Sequence, residues 1–303
     1  MRLVTRSDFD GLACAVLLKK LGLINEYKFA HPKDIQDGLI EISENDILAN
    51  VPYTPGCGMW FDHHSSENER LGNVEFKGSA KIAPSAARVI WEYFGGHAKF
   101  STDLDDLMES VDRVDSGRLT AEEITHPKGW VLLGFIMDPR TGLGRYRDYD
   151  VSNYQLMLDM IGYCSEKSAE EILEIPDVKQ RTERYFAQQR DFEAMLKRTS
   201  TIHDNVVLID LRNEQEIFAG NRFTVYALFP KCNVSVQVIW GLKKQNIVLT
   251  VGHSILNRSC TADIGSLMLN YGGGGHLRVG TCQVPTEEAE ETVKQVVAAL
   301  KGK

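Results

Sequence analysis

The sequence predicts an α/β protein of two domains: an N-terminal doubly wound, mostly parallel sheet and a smaller C-terminal α+β domain, joined by a helical linker. Three observations carry that prediction. Leu3-Val4-Thr5 reads as a short strand that breaks at Ser7-Asp8-Phe9-Asp10-Gly11 and passes into a helix-forming run from Leu12 to Leu21, the opening of a doubly wound unit. Asp177 to Arg198 is a charged helical stretch with a sparse apolar stripe (Val178, Tyr185, Phe192, Met195, Leu196), which suits a connector. Beyond it Val234, Val236, Val238 and Trp240, then Ile247, Leu249 and Val251, alternate with polar residues as half-buried strands do. The expected domains are 1–176, a linker over 177–199, and 200–303.

The remaining elements follow in order. Asp46 to Asn50 is a second strand, ended by the turn containing Pro52 and Pro55. A third runs from Met59 toward Glu67. A helix follows Pro84-Ser85, covers Ala86 to Phe94 and is stopped by Gly95-Gly96. Asp103 to Val114 reads as a helix that delivers Asp112 and Asp115 into Ser116-Gly117, and Trp130 to Met137 is strongly apolar. In the second half, Val206 to Ile209 is a strand and Thr261 to Tyr271 a helix. The last helix places Val293, Val296, Val297 and Leu300 on one face, with Glu287 and Glu288 near its start.

Composition bounds the function. The 303 residues are 43% hydrophobic and 25% charged, as in globular proteins, and the net charge of −8 provides no global field for holding long nucleic acid. The six cysteines are scattered without a C-x-x-C pair, against a structural zinc site or a disulfide framework. No apolar run approaches a membrane span, and Met1 leads straight into Arg-Leu-Val-Thr-Arg without a signal-peptide core, so a cytoplasmic enzyme is expected.

Four stretches carry chemistry. Phe61-Asp62-His63-His64 ends an apolar strand in an acid and two imidazoles, at the sheet edge where open α/β folds bind ligands; an ordinary turn is the alternative. Asp8 and Asp10 lie two apart, so in extended backbone they point the same way and invite a cation between them, whereas either alone could cap the following helix. Asp115 before Ser-Gly is a further ligand candidate or a plain turn residue. Arg140, Arg145 and Arg147, with Gly142 and Gly144, make either a phosphate clamp or a solvated loop. Gly272 to Gly275 before His276 mean backbone that approaches something closely or adopts positive φ, with amides that could hold a phosphate or carboxylate; a flexible turn is the alternative.

Taken together, Asp8-Phe9-Asp10-Gly11, Asp62-His63-His64, an Asp before Ser-Gly and Gly-Gly-Gly-Gly-His resemble the DHH phosphoesterase superfamily. The match is best to the DHH–DHHA1 subgroup of short-oligonucleotide hydrolases (nanoRNases) and exopolyphosphatase-related proteins, and it covers nearly the whole chain. The resemblance implies that residues like Asp8, Asp10, His63 and Asp115 hold manganese, with Asp112 as second choice for the last. It implies that His64 faces the scissile phosphate, that Asp62 orients the imidazoles, and that Arg258 with Gly273, Gly274, Gly275 and His276 grips the substrate. Two positions depart from the family pattern: Arg6 stands where a histidine is usual, and Asn50 where an aspartate bridges two metals. Arginine cannot ligate and a neutral amide bridges dications poorly, so one of the two metal positions is expected to be weakened, with Arg6 supplying charge instead.

The expected activity is metal-dependent hydrolysis of short oligonucleotides or 3′,5′-bisphosphonucleosides by in-line attack of a metal-bound hydroxide. The expected cofactor is Mn²⁺, one or two ions, with Mg²⁺ or Co²⁺ as alternatives. His64, Arg6 and the loop of Arg140 and Arg145 would stabilise phosphoryl charge. The partner is a small phosphorylated substrate or very short nucleic acid, with no long nucleic acid and no membrane, and a homodimer is compatible. The rival readings are a polyphosphate or pyrophosphate hydrolase, in which Tyr271 and Phe223 need not stack bases, and a nucleotide-binding regulatory protein with a degenerate metal site.

Overall fold

The computed structural model describes residues 1–64 and 74–303. The chain folds as two compact units, one of residues 1–118 and 127–186 and a second of residues 119–126 and 187–303. The division falls inside the charged helix, between Phe186 and Ala187. The short segment 119–126 joins the second unit, which no local pattern in the sequence signals.

In the first unit, β1 (Arg2–Thr5) leads into α1 (Phe9–Lys20), followed by β2 (Glu26–Phe29), α2 (Pro32–Gln36), β3 (Asp46–Ala49), β4 (Met59–Asp62) and β5 (Gly78–Ala80). The sheet has the order β2-β1-β3-β4-β5 and every pairing is parallel. That order reverses direction between β1 and β3, which places a crevice at their carboxyl ends. Strand β4 ends at Asp62, and Ser65 to Glu67 of the expected longer strand lie outside the described residues.

Helix α1 is buried from Phe9 through Leu18, as its nearly uninterrupted apolar run requires, and only Lys19 and Lys20 reach solvent. It packs against α3 (Ala86–Tyr93), α4 (Asp105–Asp115) and a helix over Asn153–Glu166. Gly11 is obligatory here: a Cβ on it would sit 2.0 Å from the Arg6 carbonyl oxygen, so the strand-to-helix turn closes only around glycine.

The chain continues through α5 (Ala121–Thr125), which belongs to the second unit, and α6 (Gly129–Met137), the strongly apolar run. Next come α7 (Asn153–Glu166), α8 (Ala169–Leu173) and α9 (Pro176–Thr199). Along α9 Val178, Tyr185, Met195 and Leu196 are buried as their spacing predicts. The unexpected buried residue is Arg181. Its guanidinium bonds the Asp177 carbonyl and the Asn153 side chain and lies 3.8 Å from the Tyr149 ring centre, which offsets the loss of water.

The second unit is built on β6 (Ser200–His203), β7 (Val206–Asp210), α10 (Thr224–Leu228), β8 (Val234–Trp240), β9 (Ile247–His253), α11 (Ile264–Leu269), β10 (Gly274–His276), β11 (Val279–Val284) and α12 (Ala289–Leu300). The six strands are ordered β10-β11-β9-β8-β7-β6, antiparallel except between β7 and β8. Val234, Val236, Val238, Ile247, Leu249 and Val251 form its core with Val293, Val296, Val297 and Leu300 of α12. Each such side chain contributes roughly 1.5–3 kcal/mol on burial. Helix α11 is shorter than the expected 261–271: Asp263 caps it by accepting from the Ser266 amide, and Asn270 closes it. Among the described residues no helix is long and apolar enough to cross a membrane.

Candidate metal centre

The carboxyl ends of β1, β3 and β4 and the first turns of α1 and α3 converge on one set of side chains. Asp10 sits in the first turn of α1 and is 2% exposed. Its two carboxylate oxygens accept the Ala86 and Ala87 amides, each at 2.8 Å. These are the leading amides of α3, whose N-cap is Ser85, so a helix N-terminus is aimed at the carboxylate. Burial, reinforced by Asp115, nevertheless pushes the Asp10 carboxyl up to about 7 in the metal-free protein. Below it the Cys14 Sγ lies 3.8 Å away, and burial raises that thiol far enough to keep it a neutral S–H.

His63 faces this carboxylate. Its Nδ1 lies 3.2 Å from the Ala83 carbonyl oxygen, an acceptor only, so Nδ1 carries the proton and donates it. Nε2 faces Asp10 (3.7 Å) and Asp115 (3.4 Å). Asp10, His63 and Asp115 thus bring three ligand atoms within 4.8 Å of one another. Two carboxylates and an imidazole held in the ligating tautomer by a backbone carbonyl fit a divalent cation, and they fit it better than they fit each other.

Other expected ligands are placed differently. Asp8 and Asp10 do not point into one space: Asp8 keeps extended backbone and caps α1 through the Gly11 amide at 3.0 Å, while Asp10 is already helical. The Asp8 carboxylate is bound instead by the Asn50 Nδ2 at 3.0 Å and the Arg6 Nε at 3.1 Å. Asn50 is buried just past β3 with φ of +56°, a left-handed conformation that asparagine tolerates, so its amide serves as a donor to Asp8. Asp112 is likewise committed. It accepts from the Ser85 hydroxyl at 2.7 Å and from Arg88 at 2.8 Å, and so braces the start of α3 from behind.

Asp62 orients one imidazole, not both. It is 1% exposed, accepts from His64 Nδ1 at 2.8 Å and from the His64 amide at 3.2 Å. Burial pulls the His64 pKa down, but the hydrogen bond and charge of Asp62, then Asp115 and Asp10, overcome it and raise it to about 9. His64 therefore carries positive charge at neutral pH, beside the His63 ring at 4.3 Å between centroids.

The arginine loop splits. Arg140 bonds Asp138 through Nε at 2.7 Å and lines a cavity next to Arg6, whereas Arg145 folds over Gly142, whose missing Cβ leaves the space its guanidinium fills. In the second unit, the glycine run approaches its own neighbours. A Cβ on Gly273 would meet the Thr281 carbonyl at 2.1 Å and one on Gly275 the Val279 carbonyl at 2.2 Å. Gly274, Gly275 and His276 pair with Thr281, Gly280 and Val279, so the close approach is strand pairing. Arg258 is exposed and bonds the Ile255 carbonyl at 3.0 Å. Phe223 is buried and Tyr271 packs against the sheet core, so neither ring is a free stacking platform.

No family model and no curated relative matches the chain. Among solved structures, it is similar to the pGpG-specific phosphodiesterase PggH of Vibrio cholerae, with 47% identity, a TM-score of 0.81, and coverage of 99% of this chain and 98% of that one. The chain belongs to the DHH–DHHA1 phosphoesterases. The DHH–DHHA1 fold is seen again in an exopolyphosphatase-related protein from Bacteroides fragilis (13% identity, TM-score 0.53, 98% and 91% coverage). RecJ of Thermus thermophilus, solved with Mn²⁺, shares it as well (14% identity, TM-score 0.54), over 98% of this chain and 51% of that one.

The DHH signature names the residues at the centre and leaves out those that brace them. The Ala83 carbonyl meets His63 across 20 residues, Ser85 and Arg88 hold Asp112 across 27 and 24, and the Ala86 and Ala87 amides reach Asp10 across 76 and 77. Only the N-cap pattern of Pro84-Ser85 before Ala86 signals any of them locally.

Proposed function

We propose that this protein is a phosphodiesterase that hydrolyses very short oligonucleotides, dinucleotides such as pGpG first among them, at a single divalent cation held by Asp10, His63 and Asp115. The observation that carries this reading is the division of labour between the two aspartates. Asp10 joins His63 and Asp115, while Asp8 is already satisfied by Arg6, Asn50 and the Gly11 amide. Those three donors hold the Asp8 carboxylate apart from the cluster of Asp10, His63 and Asp115.

A hard, oxygen-rich donor set with one imidazole suits Mn²⁺, with Mg²⁺ or Co²⁺ as weaker substitutes. Such an ion, when bound, supplies a nucleophilic oxygen near neutral pH and polarises the phosphoryl group. The chain's own residues do the rest. His64, kept charged by Asp62, and Arg6, anchored on Asp8, place two positive groups where phosphoryl charge grows. Because both are fixed by buried carboxylates, neither has to reorganise during the reaction. The similarity to a pGpG phosphodiesterase over the full chain supports the substrate class, and the net charge of −8 disfavours long nucleic acid. Six free thiols agree with a reducing, cytoplasmic setting.

The test is a metal-supplemented substrate panel of pGpG, longer oligonucleotides, adenosine bisphosphate, polyphosphate and pyrophosphate, with metal content measured on the same samples. Dinucleotide turnover with one Mn²⁺ per chain is expected. Turnover of polyphosphate alone, or nucleotide binding without hydrolysis under saturating Mn²⁺, would overturn the reading.

A further inference from the structure

A cavity of about 500 Å³ opens in the first unit at the carboxyl ends of β1 and β2, next to the candidate metal centre and outside its ligand set. Its size is that of a small-molecule site. Phe29 and Tyr154 meet edge to face at 5.9 Å in its wall, and Tyr154 is 49% exposed, an unusual position for an aromatic ring without a partner to cover it. Leu143 and Met157 add apolar lining. Two cations stand on the rim. Arg6 reaches it while its Nε holds Asp8, and Arg140 reaches it while its Nε holds Asp138 and within electrostatic reach of Asp8 and Asp115. Among the described residues, the terminal guanidinium nitrogens of both have no hydrogen-bond partner.

We propose that this cavity binds one purine base of the oligonucleotide, with guanine favoured over adenine. The inference rests on the phosphodiesterase reading and goes beyond it by giving the base a place. An apolar slot with an exposed aromatic at its mouth takes a planar ring by stacking and burial. Arg6 and Arg140 offer N–H donors that match the paired N7 and O6 acceptors of guanine, whereas adenine presents an amino donor at that edge; the acceptors in the lining, Asp138 and Asn153 among them, are available to the guanine N1–H and amino group. Polyphosphate has nothing to place in such a slot. Arg6 belongs to both sites, its Nε on Asp8 and its side chain in the cavity lining, so base recognition and phosphate positioning share one side chain.

Two substitutions test this in the full-length protein. Tyr154→Ala removes the exposed ring. Gly144→Trp adds bulk at the cavity wall, where a new Cβ would meet only the Asn153 Nδ2 at an ordinary 3.6 Å. The readouts are equilibrium binding of GMP, CMP and ribose 5-phosphate, and the ratio of kcat/KM for pGpG to that for an abasic dinucleotide. In the wild type GMP should bind more tightly than CMP, and ribose 5-phosphate most weakly. Each variant should weaken GMP about tenfold, leave ribose 5-phosphate unchanged, and shrink the pGpG-to-abasic preference by the same factor. Wild-type turnover of pGpG with variants that keep its preference and its GMP affinity overturns the cavity assignment and leaves the phosphodiesterase intact. Absence of wild-type dinucleotide turnover overturns the phosphodiesterase and, with it, the assignment.

Discussion

Asn50 donates its side-chain amide to one Asp8 carboxylate oxygen at 3.0 Å, and the Arg6 Nε lies 3.1 Å from the other. On the single-cation reading proposed above, these two donors take the place of a second ion. The native chain should bind one Mn²⁺ tightly. The double substitution Arg6→His, Asn50→Asp should raise that to two, read by elemental analysis after desalting. Two ions in the native protein would contradict the proposal.

Asp115→Asn and His63→Ala should each cost at least a hundredfold in metal affinity, since either removes one of three ligands. Asp112→Asn should behave differently. Metal stoichiometry is retained, but the ionic bond to Arg88 is lost, with stability falling about 1.5–3 kcal/mol. Calorimetric metal titration beside denaturant unfolding separates the two outcomes.

The Asp10 carboxyl is raised by burial and by Asp115 from 3.8 to about 7. Protonation thus favours the folded metal-free chain: the contribution is full below about pH 4 and lost as pH climbs through about 7. Melting temperatures in EDTA should fall across that window, and an Asp10→Asn variant should lack the slope. Metal affinity should run the opposite way and rise with pH, because the ion displaces the proton.

His64 is raised to about 9, so its charged form stabilises the fold fully below 6.5 and that contribution disappears as pH passes 9. Turnover should decline on the same alkaline limb. Asp62→Asn removes the largest favourable influence on His64 and should draw the limb down toward 6.5, visible in a pH–rate profile with Mn²⁺ held saturating.

Much of this is legible in the chain, and the exceptions share a cause. Strand, turn and helix at Leu3 to Leu21 follow from local pattern, and the alternation from Val234 to Val251 points inward as its period requires. Asp10 and His63 are identifiable because they follow short apolar strands, and Asp115 because it closes a helix before Ser-Gly. Asp8 departs from its expected place because helix α1 has already begun at Asp10, so the period of two that extended backbone would impose does not apply. The glycines at 273–275 suggest a ligand, yet the surface they approach is β11, a partner that sequence separation hides only slightly. Arg88, Ser85 and the Phe29–Tyr154 cavity depend on tertiary contact alone.

The amides of Ala86 and Ala87 end on a carboxylate 76 and 77 residues earlier in the chain, and the same carboxylate faces His63 and Asp115. An ion seated there would be a removable cross-link between the first helix, the fourth strand and two later helices. At a free concentration a hundred times its dissociation constant it would add about 2.7 kcal/mol to the first unit's stability. The second unit has its own core and none of these ligands, so a chelator should loosen one half of the molecule while the other keeps its melting point.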